Sequence, residues 1–319
     1  MKKKKFIPLA LIIMIVCGIL SAVSLSGKKA ALEGRGTKNN PYLIQDTDDL
    51  LLFADLVNSG NTFKGQYVYQ TQNLDLADIT WPVIAPYELD YTFDGIYDGG
   101  GHYIKNLTVT TDNNNSFFGK LGGTVMNLGI IDSEITGACV GGITTHASNS
   151  NALIINCYTR ADITGIRAGG IADNFNGTIA NCFSNCTLHS GLKGGIVSYN
   201  VTQSFHNFSV EPEDFDGLQI DNCTILSPEY YDKENLVAQL NDSLYEIASN
   251  FNIDHNFLHY WEIDDSGEIG FSTETAQFNI HNMPSTIVAY LPQISAWILV
   301  IIIFVFSYFL FRKLYKKSN

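Results

Sequence analysis

The chain has 319 residues, room for one large domain or two ordinary ones, and a formal net charge of -13. Its charge is unevenly placed: lysines 2 to 5 open the chain, Arg312, Lys313, Lys316 and Lys317 close it, and from Ala30 to Gln293 nine Lys and Arg stand against all 32 Asp and Glu. An acidic body with no basic stripe excludes nucleic acid and disfavours anionic lipid headgroups, leaving cations, basic partners or a plainly solvated surface.

In chain order, Lys2 to Lys5 precede an apolar run from Phe6 to Leu25, so residues 1–26 read as a secretory signal peptide or an uncleaved signal anchor. Ala22, Ser24 and Ser26 offer small residues for processing, whereas Val16 argues against lipidation at Cys17. Residues 33–91 form an N-terminal cap with lead-in strands. Pro41-Tyr42-Leu43-Ile44 predicts a short strand, and Asp46 to Asp49 supply a helix cap with a negative first turn. Leu50, Phe53, Ala54 and Val57 then follow at helical spacing until Asn58-Ser59-Gly60 stops the helix. A solenoid exposes its core at each end, so a helix here serves to cover one.

From 92 to 226 short apolar strands alternate with Gly, Asn and Asp, and a signature recurs. Gly141-Gly142-Ile143, Gly169-Gly170-Ile171 and Gly194-Gly195-Ile196 each lead to an Ile-containing stretch ending in Asn156-Cys157, Asn181-Cys182 and Asn222-Cys223. Units recurring every two to three dozen residues are the mark of stacked coils. The asparagines suit left-handed corner residues whose side chains hydrogen-bond from coil to coil. Five cysteines outside the first apolar run (Cys139, Cys157, Cys182, Cys186, Cys223) cannot all pair, and their repeat positions suit small apolar core residues; no CxxC pair points to zinc.

The interval from Gly194 to Asn222 is the longest, and reads as a coil with an inserted loop at about 199–218. Its acids Glu211, Glu213, Asp214 and Asp216 are candidate Ca²⁺ ligands, though without EF-hand spacing. Residues 227–271 read as a C-terminal cap, in which Leu236, Leu240, Leu244 and Ile247 mark a helix closing the other end and Trp261 to Ile269 a final hairpin. After a juxtamembrane connector, 272–293, the uncharged run 294–311 is long enough to cross a bilayer, and 312–319 form a basic tail. Basic outer flanks place both ends in the cytoplasm and the acidic body outside. Leu291-Pro292-Gln293-Ile294-Ser295 approaches a sortase signal but lacks its Thr and Gly, so the segment reads as a stop-transfer helix.

Two constellations invite a catalytic reading. His255 and His259 stand four apart beside Asp254, yet Asn256 occupies the place where a zinc protease needs Glu, which leaves a weak metal site or ordinary surface histidines. Asp94, Asp98 and His102 could serve a β-helical polysaccharide lyase or glycoside hydrolase, and they equally suit the tight turns of an opening coil. Asn106, Asn176 and Asn200 begin Asn-x-Ser/Thr triplets, which matter only in a eukaryotic secretory pathway. No cofactor motif is present.

Taken in order, Gly36-Thr37, Pro41-Tyr42, Asp49-Leu50, Phe53-Ala54, Val57-Asn58, Gly65-Gln66-Tyr67-Val68, Asn73-Leu74-Asp75-Leu76, Trp81-Pro82, Phe93-Asp94-Gly95, Asp98-Gly99, Gly101-His102, Asn106-Leu107 and the Gly-Gly-Ile and Asn-Cys pairs resemble the GLUG-motif surface proteins of bacteria. That repeat is also found in IgA-cleaving streptococcal metalloproteases, whose protease portion has no counterpart here. The resemblance spans about residues 34–270, with Ala85-Pro86 departing from the usual Ile-Gly. It implies an all-β, right-handed parallel β-helix displayed at a cell surface, and supplies no catalytic residues. The sequence is therefore expected to encode a membrane-anchored extracellular solenoid, non-catalytic, that presents a binding surface to a glycan or protein, with a polysaccharide-cleaving enzyme as the alternative.

Overall fold

A computed structural model describes residues 31–211, 216–217 and 223–275. The signal segment 1–26, residues 276–293 of the connector, the apolar run 294–311 and the basic tail lie outside the described residues, as do Glu213, Asp214 and Asn222. Among the described residues no helix is long and apolar enough to cross a membrane.

The body is an all-β parallel solenoid. On its first face one strand per coil pairs with the next, from Tyr42–Ile44 and Tyr67–Gln70 through the starts of Ile96–Lys105 and Thr124–Thr136, then Leu153–Ile155 and the ends of Ala172–Ala180 and Val197–Phe205. These seven rungs bound six turns. Register holds Val68, Tyr97, Val125, Ile154 and Ile179 in one inward column, and none of the five has exposed surface. A second face stacks Leu74, Ile104, Ile130, Thr159, Ser184, Ser209 and Ile225. Val109, Ile135, Ile163 and Leu188 form a third column, and Phe118, Thr144, Ala172 and Val197 a fourth. Each strand is far too short to bury a core alone, and stacking supplies the neighbour.

The corner between the first two faces is built as the sequence predicts. Asn127, Asn156 and Asn181 adopt left-handed backbone with φ of 52°, 52° and 53°, a conformation Asn tolerates better than other side-chain-bearing residues. Asn127 Nδ2 donates to Asp98 Oδ1 (2.8 Å), Asn156 Nδ2 to Asn127 Oδ1 (2.8 Å) and Asn181 Nδ2 to Asn156 Oδ1 (2.9 Å), a buried amide ladder along the axis. Beside it Cys157 and Cys182 lie fully buried as thiols, and all five described cysteines are unpaired.

The Gly-Gly-Ile signature has a steric cause. A Cβ on Gly169 would lie 1.8 Å from Ala172 O, and one on Gly194 would lie 1.8 Å from Val197 O, because the chain folds back on itself there. The second glycine faces across the core: a Cβ on Gly170 would sit 2.0 Å from both Gly195 O and Ser184 Oγ. Thr159 Oγ1 donates to Gly170 O at 2.7 Å across the same gap. The cross-section is pinched where the second-face column turns to Thr and Ser.

Helix α1, Thr47–Asn58, covers the first coil as expected. Asp46 caps it by accepting from Asp49 N, and Leu50, Phe53, Ala54 and Val57 are buried. Phe53 packs edge-on against Phe63 and Phe93, and tilted on Tyr97.

Two expectations are corrected. Of the stretch expected as an inserted loop, 199–210 is strand and corner instead: Val197–Phe205 and Asn207–Val210 are in register with the coil before, and Cys223–Leu226 pairs with Asn207–Val210, so the long interval carries a further rung; residues 212–215 and 218 lie outside the described residues. Its corner was illegible because His206, not Asn, takes positive φ (49°), while Asn207 uses its side chain to accept from Cys182 N. Nor does helix α2, Lys233–Asn250, stand only at the far end. It lies across the Asn corner, with Leu236 and Leu240 in one cluster with Tyr158, Phe183 and Phe208, and Leu244 and Ile247 in another with Met126, Ile155 and Ala180. The expected hairpin, His259–Ile263 with Ile269–Thr275, packs beside it. The cause is an outward column of apolar residues along the corner, which requires a cover.

Gly169→Ala is expected to cost ~3 kcal/mol or more in urea unfolding through overpacking against backbone, whereas Gly191→Ala, with nothing within 4 Å of its Cβ, should stay within ~0.5 kcal/mol. Equal losses would remove the close-approach explanation. Asn156→Ala should cost ~2–4 kcal/mol, since it strands its ladder neighbours and strains a positive φ; Asn156→Gly keeps the backbone and measures the amide contribution separately.

Candidate binding surface

The residues of the catalytic alternative are dispersed by the coil. Asp94 precedes the bend at Gly95 and accepts from Thr92 Oγ1 (2.7 Å). Asp98 is four residues on, roughly 13 Å of extended chain, in an outward column between Tyr69 and Met126. It is buried and already accepts from Gly100 N (2.9 Å) and Asn127 Nδ2. Burial pushes its carboxyl up to about 6, against the pull of those two bonds. His102 lies on the second face opposite Leu128, where burial and then His259 depress its imidazole pKa. The two carboxylates thus stand at opposite ends of one face, and Asp98 serves the corner.

His255 sits in a 3-10 turn and His259 in the following strand, so they do not share a helical face. His259 is buried with Nδ1 3.1 Å from Ser272 O, and Asp254 caps the turn by accepting from Asn256 N. Of the four loop acids, Glu211 is turned inward beside Gly195 and accepts from Ser209 Oγ. Burial raises its carboxyl to about 6. Asp216 pairs with Lys193 Nζ at 3.1 Å. Among the described residues no group of three or more His, Cys, Asp and Glu side chains is placed to hold a metal ion.

The surface that the coils do assemble lies at the Gly-Gly corner. There the chain doubles back, so residues on either side of the turn face each other across a notch. Arg167 on one flank reaches Asp173 on the other through Nε (2.8 Å) and Nη2 (2.7 Å). Asp173 is only 1% exposed and also accepts from Ser198 Oγ of the next coil at 2.6 Å. The Tyr199 ring lies against the Arg167 guanidinium, 4.7 Å from its centroid. The pair locks the guanidinium in place, and the fork geometry is why Lys would not substitute.

Around this fixed pair three large apolar side chains stand in solvent: Ile166 is 71% exposed, Leu192 57% and Tyr199 58%. Register sets Arg167 against Leu192, so Ile166 and Leu192 lie on adjoining coils within one residue of each other. Sequence reasoning missed this cluster, although Ile166 and Leu192 interrupt otherwise polar turn stretches just before two of the Gly-Gly pairs. Three exposed apolar side chains, Tyr among them, near a pre-ordered Arg give this corner the composition of interface centres. A second concavity, a cleft of about 600 Å³, opens between Asp78–Val83 and Thr108–Thr111. Its Trp81 is turned inward to stack on Phe117 and donate Nε1 to Phe117 O, so it offers hydroxyls without an aromatic platform.

No protein-family model matches this sequence. An alignment 157 positions long, covering 44% of the chain, is 27% identical to part of halomucin of Haloquadratum walsbyi, and it spans 2% of that protein's length. Among solved structures the chain is similar to a candidate immunoglobulin A1 protease from Bacteroides ovatus, with a TM-score of 0.47, 18% identity, and coverage of 76% of this chain and 95% of that one. No activity is carried over from either.

The buried Asp98 gives a pH test. A carboxyl whose folded pKa is raised from 3.8 to about 6 binds its proton more tightly when folded, so its contribution to stability is lost as pH rises through that window. Asp98→Asn is expected to match wild type near pH 4 and exceed it by ~2–3 kcal/mol above pH 7. Glu211 titrates in the same range, so the difference between the two proteins is the quantity to plot. A salt-bridged Asp98, held below its ordinary pKa, would give the opposite sign.

Proposed function

We propose that this chain is a membrane-tethered extracellular solenoid, of the GLUG-like surface type, that displays the Gly-Gly corner to a glycan or protein partner and performs no chemistry. The apolar runs 6–25 and 294–311 with their basic flanks support the tether and the outside placement of the acidic body. The observation that carries the binding role is the exposed Ile166, Leu192 and Tyr199 cluster around the locked Arg167–Asp173 pair. An Arg167 already fixed by Asp173 and Tyr199 loses little freedom when a partner docks, which favours affinity.

The test uses the segment from Ala30 to Gln293, with folding verified by circular dichroism, on a panel of acidic and neutral polysaccharides and extracellular proteins. Retention of one ligand class without new chain ends is expected. The double variant Leu192→Ser, Tyr199→Ala should lower that retention at least tenfold while its melting temperature stays within a few degrees of wild type. Retention unaffected by the double variant would remove the corner as the site, and new chain ends would make the protein an enzyme.

A further inference from the structure

The covering segment does not meet the first face flush. Where α2 ends, Asn252 takes positive φ (52°), its N–H donates to Ser249 O (3.3 Å) and Ile253 N–H to Ala248 O (2.9 Å). This is a left-handed helix stop of the kind Asn tolerates. It sends Ile253 and then Phe257 over the outward side of the first face. Beneath them register aligns Tyr67, Ile96, Thr124 and Leu153 in one outward column across four consecutive rungs, with Met126 in the column beside it. Cover and coils leave between them a cavity of about 200 Å³, walled by Ile96, Met126, Leu153, Phe251, Ile253 and Phe257.

One cation stands at this cavity. Lys38 belongs to the tight turn 37–40, which Tyr67 N–H ties to the first face by donating to Gly36 O (2.9 Å). Its Nζ lies 4.7 Å from the centre of the Phe257 ring, so the ring that walls the cavity also holds the ammonium at its mouth. Cations are scarce in the acidic body, and Lys105, Arg160, Arg167, Lys193 and Lys233 are each paired with a carboxylate. Among the described residues Lys38 has no such partner. Asp254, the acid at the rim, turns Oδ1 to the N–H and Nδ2 of Asn256 (3.1 and 2.9 Å).

We propose that this cavity binds a single-chain aliphatic carboxylate, its tail lying along Ile96, Thr124 and Leu153 under Phe251 and Phe257 and its carboxylate on the Lys38 ammonium. Three coil spacings make the floor roughly 14 Å long, so a volume of about 200 Å³ leaves a slot one unbranched chain wide. An apolar cavity of about 150 Å³ already retains benzene, which puts the chain here at about six to eight carbons. Apolar walls alone would take any alkane and a lone ammonium any anion; the two together select the molecule that carries both. A membrane lipid, with two long chains, exceeds the volume. The site is separate from the Gly-Gly corner and does not rest on a binding role there.

The test irradiates full-length protein in phosphatidylcholine nanodiscs with a diazirine-bearing octanoate and locates the adducts by peptide mass spectrometry. Adducts at Met126, Leu153 or 251–257 are expected, displaced by octanoate and only at far higher concentration, at least tenfold, by octylamine or butanoate. Lys38→Gln, on an exposed turn, should raise the octanoate needed for displacement at least fivefold. Thr124→Trp, which fills the floor from its outward side, should abolish these adducts with the melting temperature within a few degrees of wild type. Adducts scattered over the surface, equal displacement by octanoate and octylamine, or an unchanged response in Lys38→Gln would overturn the proposal. Suppression of the adducts by phosphatidylglycerol in the discs would overturn the single-chain ligand. Leu192→Ser, Tyr199→Ala should leave the labelling unchanged, which keeps this site's test apart from that of the corner.

Discussion

The side-chain amides at one corner tie each coil to the next, and the remaining architecture is arranged around them. A left-handed residue is needed for the chain to turn between the first two faces. Asn meets that need and then uses its side chain on its neighbours above and below. Buried amides are costly unless satisfied. The ladder satisfies them along the axis with Asp98, Asn127, Asn156 and Asn181, and the covering segment completes the set: Ser243 Oγ donates to Asn181 Oδ1, while Phe257 and His259 engage Asn127 and Asn156 through their backbones. The corner therefore both stacks the coils and recruits the chain that folds over it.

The opposite corner works by absence of side chains. Paired glycines let the chain double back within contact distance of its own carbonyls, and they let Thr159, Ser184 and Ser209 press in from across the core. That pinch creates the notch in which Arg167 and Asp173 meet. The same glycines that bear the repeat signature thus shape the one surface where exposed Ile, Leu and Tyr cluster around a fixed guanidinium. Residues that shape the core and residues that stand exposed are thus adjacent in one turn.

Much of this was legible in the residues. The solenoid, the α1 helix, the left-handed asparagines and the core positions of Cys157 and Cys182 follow from local rules: periodicity, capping chemistry and the tolerance of Asn for positive φ. The coil at 197–210 was not, because its corner uses His206 for the backbone turn and Asn207 for the side-chain bond, dividing between two residues what one Asn does elsewhere. The course of α2 was hidden too. Its apolar stripe announced that a face is buried but not against what; the complementary signal lay in Met126, Ile155, Tyr158, Phe183 and Phe208, outward residues whose alignment exists only once register is set.

The sequence by itself determined the repeating unit, because a coil's turns depend on which residue types tolerate a given backbone angle or a missing Cβ, and those are properties of single positions. Only the tertiary structure decided what stands beside what across coils. It separated Asp94 from Asp98, joined Arg167 to Asp173 and Tyr199, buried Glu211 beside Gly195, and folded α2 and the hairpin over the Asn corner. Such neighbours lie on adjoining coils, or across a turn whose sharpness no single residue reveals. Their proximity is fixed by the cumulative registry of parallel strands rather than by any local preference.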